Sequence, residues 1–293
     1  MTALEVLTAG PATTVQDLGR PGLAHLGVTR SGAADRRALR LANRLLGNPD
    51  GAAGLEVTLG GLAVRCTADA DVAVTGAACP VAVDGTPVGR DAVVTVRAGQ
   101  VLTLGTATAG LRAYVAVRGG LAVPAVLGSR SRDTLAGIGP DAVRAGDVLP
   151  VGPSPADLPH VDVAPVAAAP TGEVVLDAVP GPRDDLLPVA VVDRLWAVRW
   201  CVDPASDRVG VRLAPPPGDT AEPAHDGAGA SEPMVRGAVQ VPPSGRPVLF
   251  GADHPVTGGY PVAAVLTDAS ADRAAQLRPG QPVRLRRASA VRP

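Results

Sequence analysis

Most of the chain alternates between apolar and polar or small residues with a period of two. In the segment LRAYVAVRGG (111–120), Leu111, Ala113 and Val115 fall on one side of a strand and the residues between them on the other. Similar runs occur at 60–66, 71–76, 173–179 and 236–241. Because successive side chains of a strand point to opposite faces, this pattern predicts a mainly β fold. The segment AVVTVRAGQVLTLG (92–105), with two alternating runs around a central RAGQ, predicts a β-hairpin.

Two segments have helical spacing instead. The first, 31–49, has an apolar residue every three or four positions, with Ser31 as its expected N-cap and Gly-Asn-Pro at its end. The second, about 185–200, carries Trp196 and Trp200 four residues apart on one expected face. We expect these rings to anchor the core or a domain interface rather than a cofactor.

The two halves of the chain end alike, with RAGDVLPV at 144–151 and RPGQPVRL at 278–285. Between the halves, residues 150–172 carry six prolines and little periodicity. A duplicated β-barrel fits this arrangement better than a doubly wound α/β sheet. The predicted organisation is an N-terminal β-barrel domain at 1–150, a Pro/Ala-rich linker at 151–172 and a C-terminal β-barrel domain at 173–293.

Charge and composition exclude several classes of function. A net charge of −1 and only 2% aromatic residues argue against a nucleic-acid or anionic-membrane surface. All 27 basic residues are arginines, so a Schiff-base or P-loop lysine is excluded, and arginine or backbone N–H groups must bind any phosphate or carboxylate. The three cysteines and four histidines lack metal-ligand spacing, so no metal site is expected. Without a signal-peptide pattern or an 18-residue apolar stretch, the chain is expected to be cytoplasmic.

Three clusters could carry chemistry, and the first is TTVQDLGRPG at 13–22. It places the carboxylate of Asp17 and the guanidinium of Arg20 three residues apart beside a Gly-Pro-Gly turn. From spacing alone, we favour hydrogen bonds that fix the turn. The alternative is a guanidinium aimed at a substrate carboxylate or phosphate.

The second cluster lies in GAVQVPPSGRPVLFGADHPVTGGYP, residues 237–261. Gln240 ends a strand, because the following double proline cannot donate to a sheet, and its amide can both donate and accept. The other candidate substrate-binding residues here are Asp253, Thr257, Gly258, Gly259 and Tyr260. The glycines would let the backbone approach a ligand closely. A plain glycine-rich hairpin with Tyr260 packed on its flank explains the pattern equally well.

The third cluster is LGSRSRDTLAGIG, residues 127–139. Arg130 and Arg132, flanked by serines and glycines, could bind an anion such as a nucleotide phosphate, or could belong to a solvated turn. None of the three clusters contains a nucleophile–base pair or a GxSxG sequence. The residues alone therefore identify no reaction and no catalytic residue.

Taken in order, the motifs of this chain are TVQDLGRPG, GVTRSGAADRRALRLANRLLGN, LEVTLGG, VLGSRSRDTLAGIG, RAGDVL, PGPRDD, SDRVGVRL, GAVQVPPSG and TGGYP. From about residue 3 to 287 this series resembles the biotin-dependent carboxyltransferase family, also called allophanate hydrolase subunit 2-like or KipA-like. The resemblance implies two cyclophilin-like β-barrel domains in tandem. The best-defined role in that family is the C subunit of prokaryotic 5-oxoprolinase.

The resemblance also implies a reaction and partners. The reaction is the ATP-dependent opening of 5-oxo-L-proline to L-glutamate. It is performed by a complex with a KipI-like (allophanate hydrolase subunit 1-like) protein, the B component, and with a third protein, the A component, the single chain being inactive. Two alternatives remain: the carboxyltransferase component of a biotin-dependent urea carboxylase/allophanate hydrolase system, with biotin supplied in trans, and a non-enzymatic antagonist of a KipI-like kinase inhibitor.

The resemblance bears on individual residues as well. In urea carboxylases of this superfamily, an asparagine at the position matching Gln240 contacts the amide substrate. The resemblance therefore implies amide binding by Gln240, and it favours a functional role for Asp17 and Arg20.

Overall fold

The structure, a computed structural model, describes residues 2–157, 159, 161, 163–220, 223–225, 227 and 229–288. These residues form mainly β-strands together with three α-helices, which confirms the predicted fold class. The chain divides into two compact units. Unit 1 comprises Met1–Pro21, Ser31–Asp133 and Gly137–Ala169, and unit 2 comprises Gly22–Arg30, Thr134–Ala136 and Pro170–Pro293. The bounds predicted for the two domains, 1–150 and 173–293, stay a prediction.

Unit 1 consists of two antiparallel sheets. Its strands are β1 (Ala3–Ala9), β2 (Ala12–Gln16), β3 (Gly54–Thr58), β4 (Leu62–Cys66), β5 (Ala70–Ala78), β6 (Val81–Val83), β7 (Thr86–Pro87), β8 (Val93–Val96), β9 (Val101–Leu104), β10 (Ala109–Val117) and β11 (Val148–Pro150). One sheet has the order β11-β1-β4-β9-β6-β7 and the other the order β2-β3-β10-β5-β8. The alternating apolar residues of both sheets form a core of Val, Leu, Ala and Cys side chains. The tandem of two barrels stays a prediction.

The prediction of a hairpin at 92–105 is wrong, because its two strands do not pair with each other. Its central turn forms, since Gln100 N donates to Arg97 O at 3.0 Å. However, β8 pairs with β5 in one sheet, whereas β9 pairs with β4 and β6 in the other. The turn therefore carries the chain from one sheet to the next, a step that alternation alone cannot distinguish from a hairpin.

The first predicted helix is shorter than 31–49. Helix α1 spans Arg36–Leu45, and its N-cap is Asp35, whose carboxylate accepts a hydrogen bond from Ala38 N at 3.0 Å. The prediction of Ser31 as N-cap is wrong. Ser31 is buried with φ of 53°, and its hydroxyl donates to Arg132 O at 3.3 Å. The buried face of α1 packs on β5 and β10.

Unit 2 contains a closed barrel of seven strands. The strands of this unit are β12 (Val174–Pro180), β13 (Trp200–Val202), β14 (Gly210–Ala214), β15 (Glu232–Pro233), β16 (Ala238–Gln240), β17 (Val248–Phe250), β18 (Thr257–Gly258), β19 (Val262–Leu266) and β20 (Pro282–Arg287). The barrel order is β12-β19-β16-β17-β14-β13-β20, and it closes through the parallel pair β12–β20. Strands β15 and β18 form a separate two-stranded sheet.

Two helices belong to unit 2, α2 (Val189–Ala197) and α3 (Asp268–Ala274). The second helix predicted from the sequence, 185–200, is too long. Helix α2 ends at Ala197, and Trp200 begins β13, where it is 1% exposed and donates from Nε1 to Leu195 O at 3.1 Å. Trp200 is therefore a core residue, as predicted, although Trp196 and Trp200 do not share a helix. The short helix α3 was not predicted.

The similar endings of the two halves correspond to similar turns. Arg144 N donates to Asp147 Oδ2 at 2.7 Å, and Arg278 N donates to Gln281 Oε1 at 3.1 Å. In each turn the third residue is a glycine with positive φ, and the strand that follows is β11 in unit 1 and β20 in unit 2. The repeated sequence thus marks a repeated local structure.

Candidate functional site

Gln240 ends strand β16, as its position before two prolines predicted. It lies opposite Val248 of β17 and opposite Val262 of β19, next to a register shift in the β16–β19 pair. Such bulges re-aim side chains. The Gln240 side chain is buried at 6% exposure, and its Nε2 donates to Tyr260 O at 3.2 Å. Its Oε1 accepts no hydrogen bond from the described residues.

Gly258 makes room for the Gln240 amide. A Cβ at position 258 would lie 2.7 Å from Gln240 Nε2 and 3.3 Å from Met234 Cε, and the first distance is shorter than real contacts allow. The sequence predicted that this glycine lets the backbone approach a ligand. In the structure the close approach is to the Gln240 side chain itself.

The remaining TGGY residues lie on both sides of Gly258 in the chain and have different partners. Thr257 is exposed in β18, opposite Pro233 of β15, and Gly259 O accepts from Gly229 N at 2.7 Å. The ring of Tyr260 is 37% exposed. Of the four predicted TGGY residues, Gly258 and Tyr260 therefore contact the Gln240 side chain, whereas the contacts of Thr257 and Gly259 are with β15 and Gly229.

A histidine that the sequence did not single out, His225, packs near Tyr260. The two ring centroids are 5.8 Å apart. His225 Nε2 lies 2.9 Å from Val241 O, and His225 Nδ1 lies 3.3 Å from Gly227 N. Because a carbonyl oxygen only accepts and a backbone N–H only donates, these contacts fit the neutral tautomer protonated at Nε2.

The structure adds a charged pair to this cluster, Arg183 and Glu232. Arg183 Nε and Nη2 lie 2.7 and 2.6 Å from Glu232 Oε1. Glu232 stands opposite Gly258 in the β15–β18 pair, and Arg183 N donates to Val262 O at 3.3 Å. The hydrogen bond and the charge of Glu232 raise the pKa of Arg183. The PGPRDD motif contains Arg183, but neither its spacing nor its composition indicated the partner.

Asp253 is fully buried within unit 2 and is occupied by protein donors. Arg208 Nε and Nη2 lie 2.8 and 3.1 Å from its two carboxylate oxygens. Thr134 donates to the same carboxylate from its N–H at 2.9 Å and from its hydroxyl at 2.7 Å. The structure therefore brings Asp253 together with Arg208 and Thr134, and places Gln240 in a different set of contacts. Sequence reasoning missed Arg208, although SDRVGVRL carries it.

Asp17 holds a loop of unit 1. Its Oδ1 accepts from Gly19 N and from the Ser129 hydroxyl, both at 2.7 Å, and also from the Ser131 hydroxyl. Its Oδ2 accepts from Arg130 N at 2.7 Å. The carboxylate thus fixes the SRS segment by several charge-assisted hydrogen bonds.

Arg20 binds the same loop separately. It is 2% exposed, and it donates from Nη2 to Ser131 O at 2.5 Å and from Nε to Val126 O at 3.4 Å. Its Nη1 is buried without a hydrogen-bond partner among the described residues. Asp17 and Arg20 therefore both bind the segment 126–131 and not each other, and their role in substrate binding stays a prediction.

The two candidate anion-binding arginines are engaged within their own loop. Arg130 Nε donates to Val123 O at 2.8 Å. Arg132 Nη1 donates to Gly137 O at 3.2 Å and lies 3.6 Å from Asp141 Oδ1. Nucleotide binding by these two residues stays a prediction.

A buried polar cluster beneath α1 was not predicted. Glu56 Oε2 accepts from Tyr114 Oη at 2.8 Å and from Ala34 N at 2.9 Å, and Glu56 Oε1 lies 3.4 Å from Arg112 Nε. Tyr114 Oη accepts from Asp35 N at 2.7 Å. Burial, and then the nearby carboxylates, raise the pKa of Tyr114 well above its ordinary value. The Tyr114 hydroxyl thus donates one hydrogen bond and accepts one, as a neutral phenol can. Through Ala34 N and Asp35 N, the cluster fixes the start of α1.

Two further classes of site are not found in the part of the chain that the structure describes. Among those residues, no three His, Cys, Asp or Glu side chains lie close enough to hold a metal ion. No helix in the same residues is long and apolar enough to cross a membrane.

Comparison with known proteins connects this geometry to a family. Residues 26–287 match the family described as "Carboxyltransferase domain, subdomain A and B". The chain is 38% identical to the C subunit of 5-oxoprolinase from Escherichia coli strain K12, over 96% of this chain and 89% of that protein. It is also 30% identical to urea amidolyase of Saccharomyces cerevisiae, over 96% of this chain but only 16% of that protein.

A solved structure shows the same fold. The crystal structure of TTHA0988 superposes with a TM-score of 0.87 at 33% sequence identity and covers 98% of this chain. The chain spans 55% of that solved protein, so about half of the TTHA0988 chain has no counterpart here.

Proposed function

The chain belongs to the carboxyltransferase domain family, and from this premise we propose that it is the C subunit of a 5-oxoprolinase, a hydrolase complex that opens 5-oxo-L-proline to L-glutamate with ATP. The match to the relative named as this subunit covers 89% of that protein. The similarity therefore extends beyond a single shared domain of a larger protein, which supports the assignment. The observation within the chain that carries the proposal is the Gln240 amide, whose Oε1 has no partner among the described residues and lies at the end of a barrel strand.

The Gln240 side chain can accept a hydrogen bond from the N–H of a lactam. Tyr260 O can only accept, so the Gln240 nitrogen faces it and the oxygen faces away. A ligand N–H can donate to that oxygen, while the contact with Tyr260 fixes the orientation of the amide plane. Because the residue is 6% exposed, a hydrogen bond made here is shielded from water. We propose that Gln240 binds the lactam N–H of 5-oxoproline.

We propose that the reaction requires ATP and two partner proteins. The complete active site then belongs to the complex and not to this chain alone. ATP would supply a phosphoryl group that makes the lactam oxygen a better leaving group. Arg130 and Arg132 donate to loop carbonyls, and nucleotide binding by them stays a prediction, so no step through ATP is assigned to residues of this chain. The proposed partners are a KipI-like protein, the B component, and a protein like the A component. The proposed location is the cytoplasm, where ATP is available.

A second candidate function rests on the urea amidolyase relatives. The chain aligns with only a small part of urea amidolyase, which fits a carboxyltransferase component of a biotin-dependent urea carboxylase. Such a component would need biotin on another chain, because this one contains no lysine to carry it. An amide binder at Gln240 suits urea as well as a lactam, so the substrate must be tested directly.

The test is reconstitution with two substrates. The purified chain, its KipI-like partner and the A-component protein are combined with ATP and 5-oxoproline, and glutamate and ADP are measured. We expect equal amounts of glutamate and ADP. A parallel reaction contains ATP, urea, bicarbonate, a biotin carboxylase and a biotin carrier. ADP formation that depends on urea and biotin, without glutamate formation from 5-oxoproline, would support the carboxylase function instead.

A further inference from the structure

Arg183 lies on a loop that packs against the start of β19, directly across from Gln240. Gly181 N donates to Ala263 O at 2.9 Å, and Arg183 N donates to Val262 O at 3.3 Å. Val262 is the residue of β19 that faces Gln240 in the barrel. A Cβ at Gly181 would lie 2.2 Å from Val262 O, so only glycine permits this approach. The backbone before Arg183 is therefore fixed close to the Gln240 site.

All three nitrogens of the Arg183 guanidinium contact acceptors within the protein. Glu232 Oε1 occupies the edge formed by Nε and Nη2, at 2.7 and 2.6 Å. Pro182 O accepts from Nη1 at 3.0 Å. These contacts use three of the five N–H groups, so one on Nη1 and one on Nη2 have no partner among the described residues, and the side chain is 42% exposed. Two N–H groups on neighbouring nitrogens can donate to the two oxygens of one carboxylate.

The Arg183–Glu232 pair and the Gln240 amide meet at the small β15–β18 sheet. Glu232 of β15 stands opposite Gly258 of β18, and the Cβ position of Gly258 is 2.7 Å from Gln240 Nε2. Opposite residues of an antiparallel pair have Cα atoms about 4.5–5.5 Å apart. The Arg183–Glu232 pair and the Gln240 amide therefore both lie at this small sheet of unit 2, Glu232 through its pairing with Gly258 and Gln240 through its close approach to the same glycine.

We propose that Arg183 binds the carboxylate of the ligand whose amide N–H is bound by Gln240. The inference rests on the proposed function and refines it: the substrate is a small cyclic amide that also carries a carboxylate, as 5-oxoproline does and urea does not. Glu232 neutralises the charge of Arg183 but fixes its plane. Binding then comes from a preorganised bidentate contact rather than from long-range attraction.

The experiment compares Arg183→Gln with a matched variant in the reconstituted complex. The control is Arg284→Gln, because Arg284 also pairs with a glutamate of unit 2, Glu173 at 3.0 Å, and is 55% exposed. We expect Arg183→Gln to raise the KM for 5-oxoproline about ten- to a hundredfold, with a smaller change in kcat, and Arg284→Gln to leave both unchanged. Arg183→Lys, which keeps the charge but loses the fork, should be intermediate.

A ligand without the carboxylate separates binding from general damage to the site. 2-Pyrrolidinone has the lactam but no carboxylate, so its inhibition constant should be the same for wild type and for Arg183→Gln. An unchanged KM in Arg183→Gln, or an inhibition constant for 2-pyrrolidinone that rises as much as the KM, would overturn the assignment of Arg183. A wild-type complex that forms no glutamate would instead overturn the proposed function, and the assignment of Arg183 with it.

Discussion

At the scale of single residues, Gly258 determines where the Gln240 amide can lie, because any side chain at position 258 would occupy the same space. Gly258 leaves room for Nε2, and Tyr260 O accepts a hydrogen bond from it. The amide therefore has one fixed contact and one open acceptor. An amide held in this way is preorganised for a ligand, because little rotamer freedom remains to be lost on binding.

Replacing Gln240 tests that role. In Gln240→Ala the ligand N–H loses its acceptor, at a cost of about 1–3 kcal/mol, so we expect a rate about ten- to a hundredfold lower with a similar melting temperature. Gln240→Glu should be at least as harmful, because a carboxylate cannot donate to Tyr260 O and repels an anionic substrate. Steady-state kinetics of the reconstituted complex and thermal unfolding of each variant measure both effects. Normal turnover together with a lower melting temperature would assign Gln240 to the core instead.

Gly258→Ala should reproduce the defect of Gln240→Ala without removing any functional group. The new methyl would lie 2.7 Å from Gln240 Nε2, so the amide must move. The matched control is Gly227→Ala, since nothing lies within 4 Å of a Cβ there. We expect the double variant Gly258→Ala/Gln240→Ala to be no slower than Gln240→Ala alone, because both changes act on one contact. Additive losses in kcat/KM would contradict this coupling.

The three cysteines should differ in reactivity. Burial raises the pKa of the Cys66 thiol to about 11, and burial also raises the pKa of Cys79. Cys201 is only half-buried. Because the thiolate is the reactive form, Ellman's reagent at pH 8 should label Cys201 first and the other two only after unfolding. Fast labelling of two or more thiols in the native protein, or fast labelling of Cys201→Ser, would contradict the prediction.

Local signals located Gln240, whereas distant contacts escaped prediction. The two prolines after Gln240 end its strand whatever the rest of the chain does. Asp253, in contrast, is defined by Arg208, 45 residues away, and by Thr134, 119 residues away. No spacing rule encodes those partners. The same holds for Arg183, whose partner Glu232 lies 49 residues away.

At the scale of elements, one turn recurs three times. Arg97, Arg144 and Arg278 each donate their backbone N–H to the side chain three residues later, at 2.9, 2.7 and 3.1 Å. In every case the glycine at the third position has positive φ and donates to a carbonyl of another strand. The turn thus ties each following strand to its sheet. Sequence alone shows this repeat, but it does not show which strands the turn joins.

Gly280→Ala should destabilise unit 2 through backbone conformation alone. Gly280 has φ of 78°, and nothing lies within 4 Å of a Cβ built there, so a clash is not the cause. Holding a residue with a Cβ in this region costs about 1–2 kcal/mol. The matched control is Gly172→Ala, which also has open space and lacks a positive φ. Urea unfolding should show the loss for Gly280→Ala only; equal midpoints for both variants would contradict it.

Helix α3 shows a signal that sequence reasoning could have used. Thr267 caps the helix by accepting from Ser270 N at 3.3 Å, and Asp268 stands in its first turn. Both features favour a helix start. The helix has only seven residues, however, which is too short for a clear 3.6-residue period. Capping residues were therefore the better guide for this element.

At the scale of the whole molecule, two cores are built almost without aromatic rings. Within unit 1, Val, Leu and Ala fill the space between two sheets, and within unit 2 similar residues with Trp200 fill the closed barrel. Alternation predicts such β units well, because each strand must bury one face. It does not predict whether the sheets close, because closure depends on the pairing of strands that are far apart in sequence. The mainly β class was therefore predictable, and the closed barrel was confirmed only for unit 2.

The last prediction concerns the activity of the isolated chain. Opening a lactam requires a group that attacks the carbonyl and a means of stabilising the charge that develops on its oxygen. Around Gln240, the described side chains provide an amide, an ion pair, a tyrosine and an imidazole that already contacts Val241 O. They provide no nucleophile–base pair. We therefore expect no glutamate from 5-oxoproline and ATP with the purified chain alone, and turnover only after both partner proteins are added. The Gln240→Ala chain serves as control, because it should enter the same complex on size-exclusion chromatography without restoring the wild-type rate. ATP-dependent glutamate formation by the purified wild-type chain alone would show that the missing groups lie within this chain.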